Sequence, residues 1–173
     1  MKDKIANAHE QADNFYINYF FSKRGFNVIP TERDCPYDYI IENDKEQYIA
    51  EVKFRSITTE DNKPLYINKK KIKKLKKIQE EEDKTVVIIN AIPKDNKLII
   101  HKLDDIDINN TVEKEVFNPS FRTIQKEEQV LITYNEKNIR KFNMECYRNI
   151  VRQSLKIEGV PKENKDMILK KWS

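Results

Sequence analysis

The sequence predicts an α/β protein: a mixed β-sheet flanked by helices, followed by a helical C-terminal extension. Three observations carry this. Residues 3–24 and 69–82 repeat apolar side chains at helical spacing, Thr85–Ile92 is an unbroken apolar run of strand length, and Cys35–Arg55 reads as a β-hairpin. At 173 residues the chain fits one domain with a real core. Within it, residues 1–105 form the core unit, and residues 106–173 an extension packed on it.

In the first helix Ile5, Ala8, Ala12, Phe15, Tyr16, Tyr19 and Phe20 share a stripe, and Gly25 stands where a helix-ending glycine belongs. Glu10 lies on a neighbouring strip with Ala6, Asn14, Ile17 and Phe21, half buried beside the sheet edge. His9 reads as a surface or packing residue. Phe26–Pro30 is a short strand, and a loop over residues 31–36 leads into the hairpin.

The hairpin organises the chemistry. Its two runs flank Asn43, Asp44, Lys45 and Glu46, and with the turn centred between Asp44 and Lys45, positions summing to 89 face each other. Asp38 then sits opposite Glu51. Strand side chains alternate, so Glu51 and Lys53 share one face, and Ala50, Val52 and Phe54 the other, core face. Like charges placed opposite are destabilising, so two facing carboxylates call for a cation. Lys53 supplies part of that charge, and a divalent metal would supply more; Asp, Glu and backbone carbonyls are the hard oxygen donors Mg²⁺ accepts. The plainer alternative makes Glu51, Lys53 and Arg55 the solvated face of a half-buried strand.

On these residues the chain resembles the PD-(D/E)xK nuclease superfamily. Pro36-Tyr37-Asp38, then Glu51-Val52-Lys53 after a hairpin, carries the likeness. Within the superfamily, Arg24-Gly-Phe-Asn-Val-Ile-Pro30, Pro36-Tyr-Asp-Tyr-Ile-Ile41 and Ile49-Ala-Glu-Val-Lys53 are similar to small archaeal Holliday-junction resolvases and to homing endonucleases of this type. The resemblance spans roughly Glu10 to Ile92. It implies a restriction-endonuclease-like core and a metal-dependent nuclease using Mg²⁺, or Mn²⁺ in its place. Asp38 and Glu51 would bind metal with the Val52 carbonyl, and Lys53 would be catalytic. An acid from the first helix would join them: Glu10, with Asp13 adjacent and Asn14 at the place counted back from Gly25. A homodimer is a further implication, with the apolar face of residues 139–155 as its seat.

Beyond Arg55 the polar loop 56–64 is long enough to fold over a ligand, and Leu65-Tyr66-Ile67 leads to Asn68, an N-cap candidate. The following helix puts Ile72, Leu75 and Ile78 on one stripe and seven lysines into the nine positions 69–77, a density that like-charge repulsion disfavours unless an anion binds there. Lys69, Lys70, Lys71, Lys73, Lys74 and Lys77, with Arg55, are therefore the candidate nucleic-acid contacts, Lys71 standing nearest the hairpin chemistry. Their alternative is a solvated face balanced by Glu80, Glu81, Glu82 and Asp83.

Thr85–Ile92 predicts a central strand buried on both faces, and Pro93 with Asp95-Asn96 turns it into a strand over 97–103. Residues 104–128 read as polar loop anchored by Phe117, Pro119 and Phe121, and 129–134 as a strand. Residues 136–157 read as an amphipathic helix with Ile139, Phe142, Cys146, Tyr147, Ile150 and Val151 inward, and Arg140, Lys141, Arg148 and Arg152 as a second basic patch. The end, Lys162 to Ser173, carries the only tryptophan, Trp172; such termini are commonly loose, and the alternatives are docking on the fold or contact with nucleic acid or a second subunit.

Composition narrows the class. Charged residues make up 36% and hydrophobic ones 38%, which describes a heavily charged globular surface rather than a disordered chain. Cys35 and Cys146 lack metal-type spacing, and no apolar run has membrane-spanning length, so a reduced, soluble, cytoplasmic protein is expected. The functional expectation is a DNA endonuclease. A non-catalytic nucleic-acid-binding protein on the same fold, or a nuclease acting on RNA, are the alternatives.

Overall fold

The computed structural model describes residues 2–32, 34–61, 63–118, 123–141 and 147–170. Helix α1 (Lys2–Ser22) stops in a Schellman turn: the Phe26 N–H reaches the Phe21 carbonyl, the Gly25 N–H reaches Ser22, and Gly25 takes φ +79°. Strands β1 (Asn27–Pro30), β2 (Tyr39–Glu42) and β3 (Gln47–Phe54) then form an antiparallel meander. The hairpin register is the expected one, with Tyr39 opposite Ala50 and Glu42 opposite Gln47. Asn43 holds its turn, its side-chain oxygen accepting from the Lys45 and Glu46 N–H groups.

After the short strand β4 (Leu65–Asn68), Asn68 caps α2 (Lys69–Glu82) by accepting from the Lys70 N–H. Strand β5 (Thr85–Ile92) returns parallel to β3, and β6 (Lys97–Lys102) runs antiparallel to β5. With β9 (Ile139–Lys141) at its edge, the main sheet has the order β1-β2-β3-β5-β6-β9. The fold is thus a mixed sheet flanked by helices, with helices at the C-terminal end.

Each face of the sheet has its own core. Ala8, Ala12, Tyr16 and Phe20 of α1 cover Ala50, Val52, Ile89 and Leu98, and two C-terminal helices, α3 (Tyr147–Ile157) and α4 (Lys162–Lys170), add Val151, Leu155, Ile168 and Leu169 to that layer. On the other face Ile72, Leu75 and Ile78 of α2 cover Ile49, Val86, Ile88 and Ile92. The second layer corrects one expectation. The face of β3 that carries Glu51 is roofed by α2, so it is a core face too, and Ile49–Val52 is buried throughout.

The C-terminal half departs further from its sequence reading. Residues expected to be loop form β7 (Thr111–Asn118), paired along its whole length with β8 (Thr123–Ile132), and β8 pairs with β4 in a separate three-stranded sheet. Much of this ribbon is exposed on both sides, so it carries no apolar alternation to read. Phe117, expected as an anchor, is 61% exposed; Pro119 and Phe121 lie outside the described residues. Of the helix expected over 136–157, Tyr147–Ile157 is helical, whereas Ile139 is drawn into the main sheet opposite Ile99. The second basic patch is therefore split: Arg140 and Lys141 sit on β9, Arg152 on α3. Phe142, Cys146, Trp172 and the Arg148 side chain lie outside the described residues. Of the two readings of the chain end, loose or docked, docking holds for the described part: Lys162–Lys170 is helical and buries Ile168 and Leu169.

Candidate active site

Asp38 stands one residue before β2, where its N–H still donates to the Ala50 carbonyl at 3.0 Å and extends the hairpin ladder by one step. Its carboxylate reaches across the pair, Oδ2 accepting the Val52 N–H at 2.7 Å. This clamps the Asp38 side chain against the backbone of β3 between Glu51 and Lys53. Asp38 keeps solvent-exposed surface while its carboxylate is crowded by protein. That crowding, and next the Glu51 carboxylate, push its pKa up; the Val52 N–H, Lys53 and Lys71 pull the other way and do not cancel the rise.

Glu51 is fully buried. Among the described residues the close polar partners of its oxygens are two lysine ammonium groups, and no backbone or hydroxyl donor reaches them. Lys53 Nζ lies 2.5 Å from Oε1 and Lys71 Nζ 2.8 Å from Oε2. Lys53 comes from the same strand, two residues on. Lys71 comes from the first turn of α2, whose rotational setting is fixed by Ile72, Leu75 and Ile78. A buried carboxylate held by two lysine ammoniums, without a backbone or hydroxyl donor, is an expensive arrangement.

The remaining expected residues separate into three groups. Glu10, Asp13 and Asn14 line a cleft of about 390 Å³ together with Asp38, Val52, Cys35 and Tyr37. Glu10 is exposed rather than half buried. The Tyr39 hydroxyl donates to Asn14 Oδ1 at 2.6 Å, and burial, followed by the charges of Asp13, Asp38 and Glu10, raises the Tyr39 pKa. A larger cavity of about 620 Å³, lined by Phe21, Ile41, Tyr48 and Ile100 among others, includes none of these groups.

Among the lysines, Lys70, Lys73, Lys74 and Lys77 are exposed; Lys69 is paired with Glu128 at 2.6 Å and Lys77 with Glu81 at 3.5 Å. Arg55 is turned inward. Its Nε donates to Asn90 Oδ1 at 2.8 Å and its Nη2 to the Tyr66 carbonyl at 2.6 Å, tying β3, β5 and β4 together. Asn90, fully buried in the otherwise apolar β5, was not expected to matter. Its signal was a lone amide inside that run.

Lys71 is the residue whose role the sequence understated. It lies four residues before Leu75 and seven before Ile78, on their stripe, so the helix that buries them carries Lys71 onto the sheet. Among the described residues no group of three or more His, Cys, Asp or Glu side chains is placed to hold a metal ion. No helix among them is long and apolar enough to cross a membrane.

No family model matches the chain, and no curated protein matches it. Among solved structures, it is similar to a Holliday junction resolvase, Hjc, of the hyperthermophilic archaeon Archaeoglobus fulgidus. The identity is 17%, the match covers 66% of this chain and 84% of that one, and the TM-score is 0.45.

Proposed function

We propose that the protein is a metal-dependent endonuclease that hydrolyses phosphodiester bonds in DNA, on a restriction-endonuclease-like core of the PD-(D/E)xK type. The observation that supports this best is Glu51: fully buried, with no backbone or hydroxyl donor among the described residues, held by two lysines and close to Asp38. A buried carboxylate in that place carries a desolvation cost that two lysine ammoniums only partly offset, and hard oxygen donors of this kind suit Mg²⁺ or Mn²⁺. Asp38 and Glu51 would hold the ion with the Val52 carbonyl, and Glu10 is the acid of α1 nearest in role. A bound divalent ion would supply Lewis acidity and the activation of water for attack on phosphorus.

The chain's own groups do the rest. The Val52 N–H fixes Asp38, so one donor of the set is positioned by backbone rather than by a flexible side chain. Lys53 has three donors and gives one edge of its ammonium to Glu51. The others serve a phosphoryl oxygen as negative charge gathers on it, while the bond from phosphorus to the leaving sugar oxygen breaks. Exposed Lys70, Lys73, Lys74 and Lys77 hold the nucleic-acid backbone on the α2 side.

A second reading, a nucleic-acid-binding protein without catalysis, is favoured by one observation: the described residues place no three acidic or imidazole groups around a common point. Incubating the protein with supercoiled plasmid in Mg²⁺, Mn²⁺ or EDTA, beside a Glu51→Gln control, separates the two. The expected result is metal-dependent nicking that the substitution abolishes. Retention of DNA on a gel without nicking supports the binding protein. Cleavage of RNA alone moves the substrate, not the site.

A further inference from the structure

Resting on the nuclease reading, we infer that Lys71 is an internal counter-ion that competes with the metal for Glu51 and leaves when nucleic acid binds, so that substrate and metal load together. Glu51 has two oxygens and each already faces an ammonium, Lys53 on one and Lys71 on the other. A divalent ion that takes Oε2 meets the Lys71 charge at contact distance, in a place where no solvent reaches Glu51 to screen it. One of the two lysines has to yield.

Lys71 is the one built to move. Lys53 follows Glu51 on the same strand. Lys71 instead arrives from α2, the helix that carries the exposed lysines; both side chains keep some exposure, 29% for Lys71 and 40% for Lys53, so it is the origin on α2 that sets Lys71 apart. Its helix neighbours Lys70, Lys73 and Lys74 face solvent. A phosphate backbone lying along them offers the Lys71 ammonium a second anion within reach of a rotamer change, and Glu51 Oε2 is released. Lys71 is thus a positioning residue that makes metal affinity depend on occupancy of the lysine face, and by linkage the metal must tighten nucleic-acid binding by the same factor.

The test measures Mn²⁺ binding, by the free-ion electron paramagnetic resonance signal, to the full chain without nucleic acid. Lys71→Gln is expected to tighten Mn²⁺ about tenfold, whereas Lys102→Gln, which removes the same charge from the exposed surface of β6, changes it less than about twofold. Lys71→Arg, which keeps the charge and guards against misfolding of the neutral variant, should bind as weakly as wild type. In wild type a phosphorothioate duplex should tighten Mn²⁺, corrected for the duplex alone, and that gain should shrink in Lys71→Gln. If Lys71→Gln and Lys102→Gln bind Mn²⁺ equally, or Lys71→Gln binds it more weakly than wild type, the competition is wrong. If Glu51→Gln binds Mn²⁺ like wild type, the metal site itself is misassigned, which is a different failure.

Discussion

Asp38 and Asp95 are aspartates beside strands of the same sheet, and the fold treats them in opposite ways. Asp95, in the turn between β5 and β6, accepts the Thr59 N–H and the Thr59 hydroxyl at 2.6 Å each, and Lys97 lies 3.6 Å away and donates to the same hydroxyl. Burial pushes its pKa up, but the Thr59 hydrogen bonds and then Lys97 overcome that and leave it lowered. Asp38 has one backbone N–H and a carboxylate neighbour, and its pKa is raised. Donors are supplied where the 56–64 loop must be pinned. Where two carboxylates face one another, Glu51 has lysine ammoniums but no backbone or hydroxyl donor among the described residues, and a group held by side-chain cations is available to something else. This also settles the loop's place, since it is tied down through Thr59 rather than left open.

The comparison breaks most visibly at its two lysines. Lys53→Met is expected to reduce plasmid cleavage by about 10²- to 10³-fold, the scale for losing a donor that acts on developing charge, while duplex binding measured by anisotropy stays close to wild type. Lys97→Met should do the reverse, keeping cleavage per folded molecule and lowering the urea midpoint. Cleavage retained in Lys53→Met removes Lys53 from the reaction.

A smaller effect separates the aspartates themselves. Asp95→Asn weakens charge-assisted hydrogen bonds and should cost about 1–2 kcal/mol in urea unfolding near neutral pH. The sign follows from the lowered pKa: Asp95 contributes fully above its unfolded value of 3.8, and the contribution is lost as pH falls through the native pKa. Asp38→Asn, measured in EDTA, should leave stability unchanged or raise it, because it removes a charge facing Glu51 and keeps an acceptor for Val52. A loss from Asp38→Asn as large as that from Asp95→Asn would mean that Asp38 is structural.

How far the sequence reveals this contrast depends on which partner makes it. The hairpin register was legible because Asn43 marks the turn and the strand period is two, so the facing of Asp38 and Glu51 follows from local rules. The burial of Glu51 was not, although Ile49-Ala50-Glu51-Val52 is apolar at both parities but for Glu51, which is the mark of a strand covered on both faces. Lys71 was hidden among six other lysines; only its spacing to Leu75 and Ile78 tells it apart. The β7–β8 ribbon could not be read, since exposure on both faces leaves no pattern. Ile139 was assigned to a helix because its apolar spacing suits either element, and pairing with β6 decided between them.

One more buried polar group shows the same contrast on a third footing. His101 of β6, opposite Ile88 of β5, is 4% exposed; its Nε2 lies 3.0 Å from the Thr133 carbonyl, so Nε2 carries the proton, and Nδ1 has no partner among the described residues. Burial lowers its pKa below 6.5, against smaller opposing contributions from the Thr133 carbonyl and Asp105. The unfolded chain therefore takes up the proton first as pH falls. Stability from neutral His101 is complete above pH 6.5 and declines below it toward the native pKa, by at most about 1.4 kcal/mol per pH unit. Urea unfolding at pH 7.5 and pH 5.5 should show this loss in wild type and a smaller one in His101→Gln, which keeps a donor for Thr133 but cannot charge. Equal losses would place the acid sensitivity elsewhere, and His101 would then join Asp95 as a group the fold has satisfied rather than Asp38 as one it has strained.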